Sequence, residues 1–348
     1  MIMRALRLVD VGSMRIESVP KPVATPGRVI VRVHACGVCG SDIPRIFDTG
    51  SHQLPLTLGH EVSGTVEEVG PDVYQLKVGD RVAIAPLIPC YHCYYCRRGL
   101  FSLCDDYGYL GSREDGAYAE FVSVPAPNCL VLPDTVSLDA AALMDPAANA
   151  LHALWKGRLE KPGTVVIVGV GTIGLLAVQW AKLSGSTVIV TDIYAEKLQL
   201  AQAVGADYIV NADSSREVAQ EILKFTPENL GADVAIDFSG SPSGQHLVVN
   251  TIRKQGRGVI HGISHAAYSF SEKEFDSFQR SEKELVGSWN SFSLPFPGEE
   301  WIRSTTALES GQLQTEPLIV RRSLDEMPET LEEYHDGAPF TKILCVLE

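Results

Sequence analysis

The chain is short of positive charge. Its 29 Lys and Arg stand against 43 Asp and Glu, a formal net charge of −14 at pH 7. Nucleic acids and anionic membranes both need a basic face, so neither is an expected partner. A local basic pocket for a small anion stays compatible with that average. The first residues, MIMRALRLVDVGSMRIES, hold no long apolar core. The expected location is therefore the cytoplasm, where cysteines stay reduced. Internal repeats and low-complexity tracts are missing. Long apolar runs are scarce too. The one that approaches membrane length, TVVIVGVGTIGLLAVQWA from Thr164 to Ala181, is broken by three glycines and reads as a strand followed by a helix.

What is present suits a soluble two-domain protein. The length is 348 residues, more than one ordinary core accommodates. RVIVRV, EVSGTVEEVG, DRVAIAP and AEFVSVP are short strand-like runs separated by Gly and Pro turns, as in a β-rich, barrel-like domain. After about residue 150 the pattern changes. TVVIVGV, STVIVTD, ADVAIDFSG, GRGVIHG and KELVGSW are apolar strands that alternate with helices. That alternation predicts a doubly wound parallel sheet, an α/β domain. The tail offers two amphipathic helices and a last apolar strand, KILCVLE, expected to return to the first domain.

Gly169, Gly171 and Gly174 form G-x-G-x-x-G, with Thr172 and Ile173 between the last two, at the passage from strand to helix. The first glycine allows a tight turn, the second admits a pyrophosphate, and the third lets helix and strand pack closely. Asp192 ends the next strand, 18 residues after Gly174, where a carboxylate grips ribose hydroxyls. The first basic residue beyond it is Lys197, so nothing obvious welcomes a 2′-phosphate and NAD is expected.

Cys90, Cys93, Cys96 and Cys104 follow C-x2-C-x2-C-x7-C. Four thiolates suit zinc, with an iron–sulfur cluster as the alternative and a disulfide pair disfavoured by the reducing compartment. A zinc so enclosed has no open position and is structural. The surrounding segment is polar and short of apolar residues, so metal binding would order it. His92 is expected to be a solvent-facing bystander. Cys39, His60 and Glu61, in CGVCGSD and LGHE, are sulfur, nitrogen and oxygen donors on turns, and a catalytic zinc needs about three such ligands. Cys36 and Cys39 also make a C-x2-C pair, which leaves a redox dithiol as a rival.

CGVCGSD, GHEVSGTVEEVG, GDRVAIAP, the four-cysteine segment and GVGTIG, in this order, resemble the zinc-dependent medium-chain dehydrogenases over essentially the whole chain. Within the polyol branch, CGSDIPRIFDTGSHQLPLTLGHEVSG and GSWNSFSLPFPGEEW are similar to the galactitol-1-phosphate 5-dehydrogenases, then to sorbitol (L-iditol) 2-dehydrogenases. The resemblance implies a GroES-like catalytic domain from residues 1–149 and 292–348, with a structural zinc lobe at 89–105. It implies a Rossmann NAD-binding domain at 150–291, a cleft between the two, and a homodimer or homotetramer. Two zinc ions per chain and NAD are the implied cofactors, and a polyol or polyol phosphate is the implied substrate.

By motif, Cys39 and His60 bind the catalytic zinc, and Glu61 is an alternative ligand or supporting acid. Asp145 in LMDPAANALHA takes the place of the Glu in the polyol enzymes' Glu-Pro motif. Asp is one methylene shorter, so direct ligation and a bridging water both stay open. Ser41 begins a proton relay. Pro44 stands where many relatives carry histidine, which leaves water, ribose or His52 to continue the relay. Arg45 and Arg113 are candidates for a substrate phosphate, and Trp289 and Asn290 for the border of the pocket.

Overall fold

The structure, a computed structural model, describes residues 1–159, 162–213, 217–264 and 266–347. It divides into two compact units. One gathers Met1–Asp145, Ser291–Gly311 and Ile319–Glu348, and the other Pro146–Asn290 and Gln312–Leu318.

The first unit is built on β-sheet. Strands run in the order Cys129–Val131, Arg81–Ile84, Glu61–Val69, Arg28–Gly37, Lys342–Val346 and Ile319–Ser323, and Phe121–Pro125 also pairs with Arg28–Gly37. A second sheet joins Ser13–Pro20, Ile2–Asp10 and Leu56–Thr57. Strand Arg28–Gly37 is more buried than its alternating pattern suggests. Val29, Ile30 and Val31 are all fully buried, because strands flank it on both edges and one core packs around it. The tail strand Lys342–Val346 lies antiparallel to it, with Cys345 opposite Cys36 and Leu344 opposite Gly37. Asp139 ties the tail down a second time, through His34 Nε2 at 2.8 Å and Arg321 Nη2 at 2.6 Å.

The second unit is a six-stranded parallel sheet in the order Tyr208–Asn211, Thr187–Asp192, Thr164–Val168, Ala232–Asp237, Ile252–Ile260, Glu284–Gly287. Helices such as Thr172–Leu183 and Pro242–Thr251 connect the strands. The central strand Thr164–Val168 is buried throughout, as a strand covered on both faces must be. The run that approached membrane length is thus strand Thr164–Val168 and helix Thr172–Leu183. Among the described residues, no helix is long and apolar enough to cross a membrane.

Two details depart from the sequence expectation. Strand Tyr208–Asn211 is only four residues long and gave no clear periodic signal. Segment Gln312–Leu318 returns to the second unit instead of staying with the tail. The cause is local. Buried Gln179 receives the Gln314 N–H at 2.6 Å and donates to the Gln314 carbonyl at 3.1 Å, which satisfies an amide that burial would otherwise leave unpaired.

Candidate metal centres and dinucleotide loop

Strand Arg28–Gly37 ends just before Cys39, and strand Glu61–Val69 starts just after His60. The two strands are neighbours, with Gly37 opposite Glu61, so residues far apart in the chain meet at one edge. Ligand atoms of Cys39, His60 and Glu61 all lie within 4.8 Å of one another. Tetrahedral zinc holds N, O and S donors roughly 3.3–3.8 Å apart, so modest closure completes the set. Gly59 makes the corner possible. Its φ is +92°, and a Cβ there would stand 2.7 Å from Cys36 Sγ and 2.8 Å from the Tyr118 ring.

The centre is densely charged for its burial. Asp42, His60, Glu61, Asp145 and Lys342 are all at most 6 % exposed. Asp42 receives Tyr118 Oη at 3.1 Å, the Cys39 N–H at 3.2 Å and Arg45 Nη1 at 3.1 Å. Its Oδ1 also lies 3.5 Å from His60 Nδ1. A carboxylate behind one imidazole nitrogen fixes the ring and leaves the other for a metal. Burial opposes a charge on His60, yet Asp42 outweighs it and holds the ring well above its usual pKa. Burial likewise works to raise Asp42, but His60 and Arg45 prevail and hold it low.

Asp145 is not in the tight trio, although its pKa feels His60 and Glu61, and burial pushes its carboxyl up to about 7. Lys342 makes an ion pair with Glu61 and donates to the Val38 carbonyl at 2.7 Å. Burial works to lower its ammonium, while Glu61 and Cys39 keep it raised. A thiol, an imidazole and the Glu61 carboxylate converge here, and buried His60 holds a proton where a divalent cation would serve as well. The donor set fits zinc.

The other candidate positions are equally specific. Ser41 Oγ donates to Cys39 Sγ at 3.3 Å and accepts from Arg45 Nη1 at 3.3 Å. The Arg45 guanidinium, expected at a substrate phosphate, is thus held by Asp42 and Ser41. Arg113 is exposed and lies over the Tyr107 ring, 4.5 Å from its centroid. His52 is exposed in the loop between helix and strand. Trp289 is 46 % exposed, and Asn290 adopts a φ of +50°. The sequence reading did not pick out Asp42, Lys342 or Tyr109. The Tyr109 ring sits edge-on to His60, 5.5 Å between centroids.

Cys90, Cys93, Cys96 and Cys104 place their sulfurs within 4.8 Å of one another, and no disulfide links them. Cys90 and Cys96 Sγ are 3.9 Å apart, close to the edge of a zinc tetrahedron. Backbone N–H groups point at the sulfurs: Cys90 N to Cys104, Cys93 N to Cys90 and Cys96 N to Cys93, at 3.3–3.4 Å. Such donors favour thiolate, and those of Asp105 and Cys96 draw the Cys93 thiol down to about 6. These residues fit a closed four-thiolate ion. His92 is exposed and bonds the Cys90 carbonyl at 2.7 Å. The segment is less bare than its sequence suggested. Phe101 contacts Tyr91 and Phe296 edge-on, and Phe292 stacks between Phe296 and Trp301. That apolar support comes from residues about 190 positions later, beyond any local reading.

In the second unit each glycine of the loop has a distinct reason. Gly169 has a φ of +86°, and a Cβ there would stand 2.8 Å from Ser239 N. Gly174 packs against the Gly169 carbonyl with no room for a side chain. Gly171 caps helix Thr172–Leu183, and the space beside it is open. That opening over a helix N-terminus has the room and the N–H donors that suit a pyrophosphate, and a Cβ would fill it. Thr172 and Ile173 form the first turn of the same helix. Asp192 accepts the Val170 and Tyr194 N–H groups at 2.8 and 3.0 Å, so its carboxylate is aimed beside the loop. Lys197 lies 4.8 Å from the Tyr194 ring centroid and feels the Asp192 charge.

Known proteins match this arrangement. Residues 25–134 match the alcohol dehydrogenase GroES-like domain, and residues 172–301 match the zinc-binding dehydrogenase family. Galactitol 1-phosphate 5-dehydrogenase of Escherichia coli (strain K12) is 34% identical over 96% of this chain and 97% of its own. The crystal structure of galactitol-1-phosphate dehydrogenase from Escherichia coli superposes with a TM-score of 0.94 at 32% identity, over 99% of this chain and 100% of that one. A zinc-binding dehydrogenase from Sinorhizobium meliloti 1021 bound to NADP superposes at 0.92 with 30% identity, each chain covered completely. Sorbitol dehydrogenase of Bacillus subtilis (strain 168) is 33% identical over 75% of each chain. Both family models fall in order on one GroES-like unit and one Rossmann unit, and the chain therefore belongs to the zinc-binding medium-chain alcohol dehydrogenases, as an oxidoreductase.

Proposed function

We propose that this enzyme oxidises a secondary hydroxyl of a polyol or polyol phosphate to the ketone, with NAD as acceptor. The observation that carries it is the Cys39–His60–Glu61 trio, an incomplete donor shell beside buried Asp145. Such a shell keeps a position for substrate, unlike the four-cysteine site. Zinc, when bound, supplies Lewis acidity that lowers the hydroxyl pKa, and NAD supplies the hydride acceptor. The chain's own residues do the rest. Cys39, His60 and Asp145 hold the ion, with Glu61 as supporting acid or alternative ligand. Asp42 fixes the His60 ring, and Lys342 balances Glu61. Ser41, hydrogen-bonded to the Cys39 sulfur, stands to receive the substrate's proton. Gly169, Gly171 and Gly174 admit the pyrophosphate, and Asp192 accepts the ribose hydroxyls. Cys90, Cys93, Cys96 and Cys104 hold a second, structural zinc. The assembly is a homodimer or homotetramer.

The related sorbitol dehydrogenase supports a second reading, an unphosphorylated polyol. Galactitol 1-phosphate, galactitol, sorbitol, L-iditol and xylitol, each offered with NAD and with NADP, decide between them. Reduction of NAD by at least one of them is expected, with loss of rate after metal removal. Full activity in verified metal-free protein, or no turnover of any polyol, sinks the reading.

The two metal sites are expected to fail differently. Cys96→Ala should release one zinc per chain and lower the thermal midpoint by roughly 5–10 °C. Turnover should fall only as far as the protein unfolds. A variant that is stable, lacks that zinc and is inactive at 25 °C would reverse this division of roles.

A further inference from the structure

Two tyrosines and an arginine form a strip that leads away from the catalytic centre. Tyr109 is edge-on to His60 at 5.5 Å, and Tyr107 is edge-on to Tyr109 at 6.3 Å. The Arg113 guanidinium then covers the Tyr107 ring at 4.5 Å. All four residues belong to the first unit. The backbone holds the strip in shape. The Arg113 and Glu114 N–H groups both reach the Tyr109 carbonyl, at 2.9 and 3.2 Å, and Gly111 N bonds the Glu114 carbonyl at 2.9 Å. From the facing loop, Ser51 Oγ donates to the Ser112 carbonyl at 3.0 Å and Gln53 Nε2 to the Arg113 carbonyl at 3.3 Å.

The arginines of this unit differ in what they are given to bind. Arg45 is held by Asp42, Arg28 by Glu114, and Arg98 by the Tyr94 carbonyl as well as the Tyr94 ring. Among the described residues no carboxylate lies within ion-pair distance of Arg113, although Glu114 and Asp115 follow it directly; they face Arg28 and Arg7 instead. A stacked guanidinium keeps its edge donors free and its plane fixed. That is the arrangement that receives a phosphate oxygen pair.

From this geometry we infer that Arg113, presented on the Tyr107–Tyr109 strip, binds a phosphomonoester at the far end of the substrate, so that the natural substrate is phosphorylated. The inference rests on the polyol reading above and narrows it. Tyr109, against His60, borders the reacting end, and Arg113 anchors the remote end. Binding energy from the remote group then orients the hydroxyl at the metal.

The test uses the zinc-loaded enzyme with NAD, and compares kcat/KM for galactitol 1-phosphate and for galactitol. The wild type should favour the phosphorylated substrate. Arg113→Gln should lower that preference roughly 10- to 100-fold, mainly through KM. Arg113→Lys should recover only part of it, since a point charge replaces a fork. Arg98→Gln, on the cysteine lobe, should leave the preference as in the wild type. Inorganic phosphate should compete with galactitol 1-phosphate in the wild type and lose that effect in Arg113→Gln. Equal kcat/KM for the two substrates in the wild type, or an unchanged preference in Arg113→Gln, overturns the phosphate site while polyol oxidation stands. Turnover of neither substrate, nor of any other polyol, is failure of the function itself.

Discussion

Cys39→Ala should reduce turnover by a thousandfold or more, while NAD affinity stays within a few-fold of the wild type. The thiol is one of three donors within 4.8 Å, and two donors do not retain zinc firmly. Losing Lewis-acid stabilisation worth about 4 kcal/mol corresponds to roughly a thousandfold in rate. Metal analysis should show one zinc fewer per chain, with the four-cysteine ion still present. The dinucleotide loop is built entirely in the other unit, from Gly169, Gly171, Gly174 and Asp192, so cofactor titration should barely change. Equal loss of NAD binding would show that Cys39 maintains the fold and is not primarily a ligand. Retention of both zinc ions would remove it from the catalytic shell.

The second large effect is expected at Lys342. Its ammonium is 2 % exposed and faces Glu61, itself 3 % exposed. Lys342→Met leaves that carboxylate buried without its cation. Breaking one side of a buried pair is destabilising by about 3–5 kcal/mol, because the surviving charge is stranded. Denaturant unfolding of metal-free protein should show a loss of that order. The double variant Lys342→Met, Glu61→Gln should regain most of it, since no net charge is left behind. A single variant within 1 kcal/mol of the parent would mean that Glu61 finds another partner or accepts a proton cheaply.

These two residues also mark how far the sequence could be read. Cys39 announces itself through neighbours: a turn, a nearby C-x2-C spacing and a Gly-His-Glu not far downstream. The glycine loop is similarly local, and each glycine meets the steric demand its position implies. Lys342 gives no such sign. It sits in TKILCVLE, a run that reads only as an apolar strand, and its partner is 281 residues away. Nothing local tells which strand it will join. Arg45 is the opposite case: its partners Ser41 and Asp42 are sequence neighbours, yet spacing alone does not say that they take up the guanidinium. Periodicity can say that a tail strand is buried. It cannot say which side chain will complete a site. The lobe's aromatic support from Phe292, Phe296 and Trp301 was hidden for that reason too.

Strand Lys342–Val346 has a consequence for how the protein is made. It pairs with Arg28–Gly37, the strand that leads to Cys39, and carries the cation that neutralises Glu61. During synthesis Cys39, His60 and Glu61 emerge well before Lys342, which lies 281 residues beyond Glu61. Until Lys342 emerges, the nascent chain carries Glu61 without the cation that pairs with it in the folded protein. The whole Rossmann unit has time to fold in between. Completion of the Cys39–His60–Glu61 cluster therefore waits for strand Lys342–Val346, and a chain stalled before it would carry the three side chains without their buried cation.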